Sequence, residues 1–166
     1  MDPILVGALL LLPIVGTFSY GALSAAPWVP MHARDVARFH RMAQLRPGER
    51  FYDLGCGDGR LVRAAAAAGA HATGFEVSLL PYLIARIRGR RRGVVRYRDF
   101  WRQDLSDADV IYVFLMPKVY RTLRRKLERE CRPGTRVILY VWPMDGWQHD
   151  LVDTSAGSPK LYRYTL

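Results

Sequence analysis

The sequence predicts an α/β fold, a doubly wound sheet of about seven strands preceded by an apolar helix. Three observations carry that reading. Short apolar, β-branched runs alternate with helix-forming stretches from residue 50 onward, the order that builds a mainly parallel sheet covered by helices. A glycine-rich segment, FYDLGCGDGR at 51–60, lies where a first strand meets the next helix. Ahead of both, residues 4–26 run 23 positions without a charged side chain.

That N-terminal run, ILVGALLLLPIVGTFSYGALSAA, exceeds the roughly 20 apolar residues needed to span a hydrocarbon core. Pro13 and the glycines Gly7, Gly16 and Gly21 are tolerated in a membrane helix. Arg34, Arg38, Arg41, Arg46 and Arg50 follow it against Asp35 and Glu49, and no basic residue precedes it. The positive-inside rule then places the N-terminus outside and the rest in the cytoplasm. The expected organisation is an anchor over 1–27 and one domain over 28–166. A cleaved signal peptide and a buried soluble helix compete; the first lacks its basic n-region, and the second is rarely so long and apolar.

PWVPMH at 27–32 holds two prolines and reads as an extended linker. ARDVARFHRMAQL spaces Val36, Phe39 and Ala43 as one helix face. RFYDL is the first strand, and RLVRAAAAAGA is a helix with Gly69 fitting its C-terminal cap. HATGFEV at 71–77 is the second strand, and Ser78 can cap the helix LLPYLIARIRGR. GVVRYRDF is the third strand. DVIYVFLM at 109–116, nearly all apolar, is expected at the centre of the sheet. VYRTLRRKLERE is a helix with a basic face, TRVILYVW at 135–142 a fifth strand, and QHDLVD and KLYRYTL are two closing strands.

The chain has 166 residues, enough for one domain, and half of them are hydrophobic, which excludes a disordered chain. Its formal net charge of +10 comes almost wholly from arginine, since Lys118, Lys126 and Lys160 are the lysines. That balance suits nucleic acid, an anionic membrane surface or an acidic substrate. Cys56 and Cys131 are too few for a disulfide framework and match no metal spacing, so no metal is expected and a reduced compartment is the default.

In an open α/β sheet ligands bind at the carboxyl ends of the strands. Gly55, Gly57 and Gly59 form G-x-G-x-G, and the last glycine of a dinucleotide fingerprint is replaced by Arg60. This argues against NAD or FAD, and no P-loop motif occurs. Asp53, just ahead of the glycines, can hold a cationic group or loop amides. Glu76, 23 residues further on at the second strand's tip, can accept both hydroxyls of a ribose. Asp99 follows the third strand and can accept an adenine amino group, with Phe100 and Trp101 as apolar walls. Singly each acid reads as a solvated loop residue; three at successive strand ends beside one glycine loop form a constellation.

YDLGCGDGR, GFEVS and RDFWRQDLSDADVIYVFLMP together resemble the class I S-adenosylmethionine-dependent methyltransferases, whose sheet is Rossmann-like. The narrower resemblance is to the small lysine methyltransferases, which include archaeal broad-specificity enzymes and the membrane-anchored enzyme acting on the ATP synthase c-subunit. It covers about residue 27 to the end. The family's F-V-P segment reads Trp28-Val29-Pro30 here, and Met31-His32 stand where members often have threonine and proline.

The resemblance implies S-adenosylmethionine as cofactor, held by Asp53, Gly55, Gly57, Gly59, Glu76, Asp99 and Phe100. It implies methylation of lysine on a protein, with a membrane-embedded protein among the candidates. Trp28, Pro30, Trp101, Phe114, Leu115, Pro117 and Trp142 are the expected substrate channel. FLMP at 114–117 lacks the amide or carboxylate that adenine- and glutamine-methylating relatives carry there. No residue stands out as a catalytic base, and none is named. A methyltransferase for a quinone or lipid remains open, as does a cofactor-binding protein without turnover.

Two basic clusters need a reading: Arg86, Arg88, Arg90, Arg91 and Arg92, and Arg121, Arg124, Arg125, Lys126 and Arg129. A solvated face explains them; beside an anchor, anionic lipid headgroups are the alternative, at roughly 1 kcal/mol per basic residue. No nucleic-acid motif accompanies the charge, so no specific nucleic acid is expected. The expected location is the inner (cytoplasmic) membrane, single-pass, with the catalytic domain in the cytoplasm.

Overall fold

The computed structural model describes residues 2–25, 28–89 and 93–166. The expected domain boundary at 27 and the arginines 90–92 lie outside the described residues. The chain runs α1 (Pro3–Ser24), α2 (Ala33–Ala43), β1 (Arg50–Leu54), α3 (Arg60–Ala67), β2 (His71–Glu76), α4 (Leu79–Arg88), β3 (Val94–Tyr97), β4 (Val110–Val113), α5 (Tyr120–Glu130), β5 (Arg136–Tyr140), β6 (Leu151–Asp153) and β7 (Leu161–Thr165). The strands form one sheet in the order β3-β2-β1-β4-β5-β7-β6. β3, β2, β1, β4 and β5 pair in parallel, and β7 runs antiparallel to β5 and β6. The order reverses between β1 and β4, so the crevice of a doubly wound sheet falls at their carboxyl ends.

The core divides between two layers. Phe39 of α2, Phe51 and Tyr112 of the sheet, Val62 of α3 and Ala85 of α4 pack together on one side. Leu123 and Leu127 of α5 pack with Leu54, Ile111 and Leu139 on the other. α2 is pinned to the sheet by buried charge. Arg38 donates to Asp35 at 2.9 Å and to Asp153 at 3.0 Å, and Tyr140 donates its hydroxyl to Asp35 at 2.7 Å. This fixes the linker that leads into α2, and the linker forms one wall of the site described below.

Several elements end earlier than the sequence suggests. β3 stops at Tyr97 because Asp99 Oδ1 accepts the Trp101 N–H at 3.0 Å, which turns residues 100–102 into a single 3₁₀ turn. β5 stops at Tyr140 because Val141 adopts a left-handed backbone, φ 74°. Ser78 occupies the N-cap of α4 but makes no side-chain capping bond. The cap comes from α1 instead: Thr17 Oγ1 accepts the Leu79 N–H at 3.0 Å.

α1 opens on Asp2, whose Oδ1 accepts the Ile4 N–H at 2.9 Å. Pro3–Gly21 has mean hydropathy 2.0 and only 6% of it is buried, which makes it long and apolar enough to cross a bilayer. Its C-terminal end lies against the segment after β4, where the Met116 N–H donates to the Ala25 carbonyl at 3.1 Å and Lys118 Nζ to the Leu23 carbonyl at 3.0 Å.

Candidate functional site

The loop from β1 to α3 is held by β2. The N–H groups of Gly55 and Cys56 both donate to the Phe75 carbonyl, at 3.0 and 2.9 Å. Gly57, with φ 54°, then aims its N–H at Glu76 Oε2, 2.8 Å away. The other oxygen of Glu76 accepts the N–H groups of Val77 at 3.0 Å and Ser78 at 2.8 Å. The carboxylate that the sequence assigns to ligand hydroxyls thus carries three backbone amides; with about four lone-pair sites it retains one for a ligand. A β-carbon on Gly57 would lie 2.5 Å from Trp28 Nε1, so bare backbone here lets the linker close on the loop. Gly59 serves packing: a β-carbon there would stand 3.2 Å from Ala85 and Val95.

A cavity opens above these strand ends. Asp53, Gly55, Gly57, Glu76, Asp99 and Phe100 line it, and of the seven expected cofactor residues Gly59 alone does not. Trp28 and Pro30 of the linker and Phe114 and Leu115 after β4 form the apolar side. The other three expected channel residues lie outside its lining. Trp101 stacks on Phe100, centroids 4.5 Å apart; Pro117 opens the short turn before α5; Trp142, turned outward by Val141, is 42% exposed.

Three contributors escaped the sequence reading. Gly21 and Ala25 bring the end of α1 into the cavity wall. Tyr112, read only as part of an apolar strand, lines the cavity with a buried hydroxyl that has no partner, and it pairs in register with Asp53. Asp58, buried, joins Arg60 and Arg88 at 2.9 Å each and so fastens the loop to α3 and α4. Arg60 in turn donates to the Met31 carbonyl and ties the linker down. Nothing in residue type or spacing marks these contacts; each depends on how the chain returns.

Arg60 and Arg98 line the cavity, but Arg60 is paired with Asp58, and among the described residues no cation is paired with Asp53. Burial pushes the Asp53 carboxyl well above the usual carboxylate range, and the negative charges of Glu76 and Asp58 push it further. Burial and the Asp53 charge also raise the Cys56 thiol, which keeps it protonated and inert. Trp28 Nε1 is a second buried donor without a partner. A ligand that satisfies this site brings a cation to Asp53 and an acceptor to Trp28 and Tyr112. Asp99 is engaged at both oxygens, by the Trp101 N–H and by the Tyr20 hydroxyl at 2.9 Å. Among the described residues no His, Cys, Asp and Glu cluster could hold a metal ion.

Comparison with known proteins identifies a methyltransferase family. The ANTKMT methyltransferase domain model matches residues 53–151. The ATP synthase c-subunit lysine N-methyltransferase of the rat (Rattus norvegicus) is 34% identical over 147 residues, 84% of this chain and 66% of that protein. A protein-lysine N-methyltransferase of Saccharolobus islandicus is 34% identical over 129 residues, 73% of this chain and 80% of that protein. Among solved structures, an RNA methyltransferase from Salinibacter ruber in complex with S-adenosyl-L-homocysteine superposes with TM-score 0.77 at 32% identity, covering 82% of this chain and 93% of that one. The chain spans just under two thirds of the length of the rat relative.

Proposed function

The chain belongs to the ANTKMT methyltransferase family, and from that premise we propose that it uses S-adenosylmethionine to methylate lysine side chains of a protein. The observation that carries the proposal is Asp53, a buried carboxylate facing a cavity in which Trp28 Nε1 and Tyr112 Oη are donors without partners. An amino-acid zwitterion supplies what all three require: its ammonium goes to Asp53 and its carboxylate to the two donors. In this reading Glu76 gives its one remaining acceptor site to a ribose hydroxyl, Asp99 takes a purine amino group, and Phe100 offers a ring to the purine face. The bare backbone of Gly55 allows close approach.

When bound, the cofactor would supply a sulfonium methyl group to an in-line nitrogen nucleophile, with the neutral thioether as the leaving group. The protein's part is positioning and exclusion of water. A lysine enters with an ordinary pKa near 10.4 and must arrive neutral. The apolar wall of Trp28, Pro30, Phe114 and Leu115 disfavours its charged form and promotes loss of the proton to solvent. No side chain of the cavity is assigned as a base.

α1 is read as a single-pass anchor that holds the domain against the cytoplasmic face of the membrane, and its acceptor protein is expected there. The apolar run Pro3–Gly21 and the arginines that follow it support this. A lipophilic small acceptor, a quinone or lipid, is the second reading, favoured by Gly21 and Ala25 in the cavity wall. Incubating the full chain with methyl-labelled cofactor and membranes separates the two. Label that stays with protein and is released as methyl-lysine supports the proposal, whereas label in the organic extract overturns it.

A further inference from the structure

α4 flanks β3 at one edge of the sheet, and it shows solvent a face that the fold does not use. Pro81 and Ala85 are its buried residues. Leu80, Leu83 and Ile87 are 40%, 44% and 76% exposed. At 100° per residue these three and the half-buried Ile84 fall within an arc of about 100°, the apolar stripe of an amphipathic helix turned away from the core. Two exposed arginines border it: Arg86, its guanidinium 5.9 Å from the centre of the Tyr82 ring, and Arg88, paired with Asp58. No acidic residue occurs in the helix.

The N-terminal end of α4 also abuts the apolar helix α1. Thr17 of α1 caps α4 through the Leu79 N–H, and Gly21 is so close to Ser78 that a β-carbon would lie 2.7 Å from its hydroxyl. We propose that this face of α4 is a second membrane contact: Leu80, Leu83 and Ile87 enter the headgroup–acyl boundary of an anionic bilayer, with the Arg86 guanidinium among the phosphates while Arg88 stays on Asp58. The inference rests on the reading of α1 as an anchor. Contact with that helix, the exposed Arg86 on one border and the absence of acidic residues select a lipid surface over a protein partner, because a long cationic side chain can bury its stem in the apolar layer and keep its charge at the phosphates. Gly21, Ala25, Val77 and Ser78 all line the cavity, so two contacts fix its mouth at the bilayer surface, where one anchor would leave the domain free to turn.

The test uses the full chain reconstituted in phosphatidylglycerol–phosphatidylcholine vesicles whose acyl chains carry bromine. An environment-sensitive fluorophore is attached in turn at Ile87→Cys, Val15→Cys and Lys160→Cys, with Cys131→Ser removing the accessible native thiol. Ile87 and Val15 are exposed, so a label there disturbs no packing, and Lys160 precedes β7 at the far side of the sheet. The expected result is loss of emission at 87 and 15 and none at 160. The loss at 87 should shrink in purely zwitterionic vesicles while that at 15 persists. Quenching at 15 alone overturns the α4 contact and leaves the anchor standing. Quenching at neither site removes the anchor reading as well, and equal quenching at all three shows non-specific adsorption and overturns the proposal.

Discussion

The backbone amide of Gly57 donates to Glu76 Oε2 at 2.8 Å, so one carboxylate at the tip of β2 sets the shape of the glycine loop on β1. With the Val77 and Ser78 amides on its other oxygen, Glu76 ties loop, strand end and the start of α4 together before any ligand arrives.

Glu76→Ala is therefore expected to damage both ligand binding and the loop. It leaves three partly buried amides without a partner, each costing about 1–3 kcal/mol if water cannot replace the carboxylate. The expected loss in affinity for S-adenosylhomocysteine is about a hundredfold or more, the equivalent of roughly 2.7 kcal/mol. Titration calorimetry measures it, and an unchanged affinity would show that the loop holds its shape without Glu76.

Asp53 makes ligand binding pH-dependent. Burial, then Glu76 and Asp58, raise its ligand-free pKa, so at acidic pH the carboxyl holds a proton that a ligand ammonium must displace. The sign follows: affinity is full above the raised pKa and is lost as pH falls through it. Calorimetry across acidic to neutral pH should show binding that tightens with pH and releases protons to buffer. Asp53→Asn should bind weakly with a flat profile.

The glycine loop and the acids at the first three strand ends were legible in the sequence because they are local. A strand's end, a run of glycines and the next acid follow one another in the chain, and alternation of strands and helices supplies the sheet. The walls were not legible, because tertiary returns make them. Asp99 turns the chain into a 3₁₀ turn that stacks Trp101 on Phe100 outside the cavity lining, and the left-handed backbone at Val141 swings Trp142 to solvent. Tyr112 reads as one apolar residue among many until the fold sets it beside Asp53 in the cavity lining, its buried hydroxyl without a partner.

Tyr20 competes with a ligand for Asp99. Its hydroxyl occupies Oδ2 at 2.9 Å, and the Trp101 amide occupies Oδ1. If Asp99 receives a purine amino group, Tyr20→Phe frees an acceptor and should tighten S-adenosylhomocysteine binding by about fivefold, one exposed hydrogen bond of roughly 1 kcal/mol. Weaker binding would mean instead that Tyr20 orients the carboxylate.

Arg38→Ala tests what holds the linker. It strands Asp35, fully buried, with only the Tyr140 hydroxyl, and breaking such a pair costs about 3–5 kcal/mol. Urea denaturation should show the loss, with Tyr140→Phe costing about 1–2 kcal/mol. Hydrogen bonds from Arg38 hold the Asp153 carboxyl well below its usual range. Stability from that pair is present above the ordinary aspartate pKa and is lost as pH falls through the depressed one, and Arg38→Ala should weaken this acid dependence, with the Ser155 hydrogen bonds keeping the remainder.

The most direct measurement is mass spectrometry of membrane and soluble proteins from cells carrying the intact chain, cells lacking it, and cells carrying Asp53→Ala. Lysine residues that bear one or more methyl groups are expected only with the intact chain. Unchanged lysine methylation across the three strains, with methyl label from purified enzyme recovered in lipid or RNA, would contradict it.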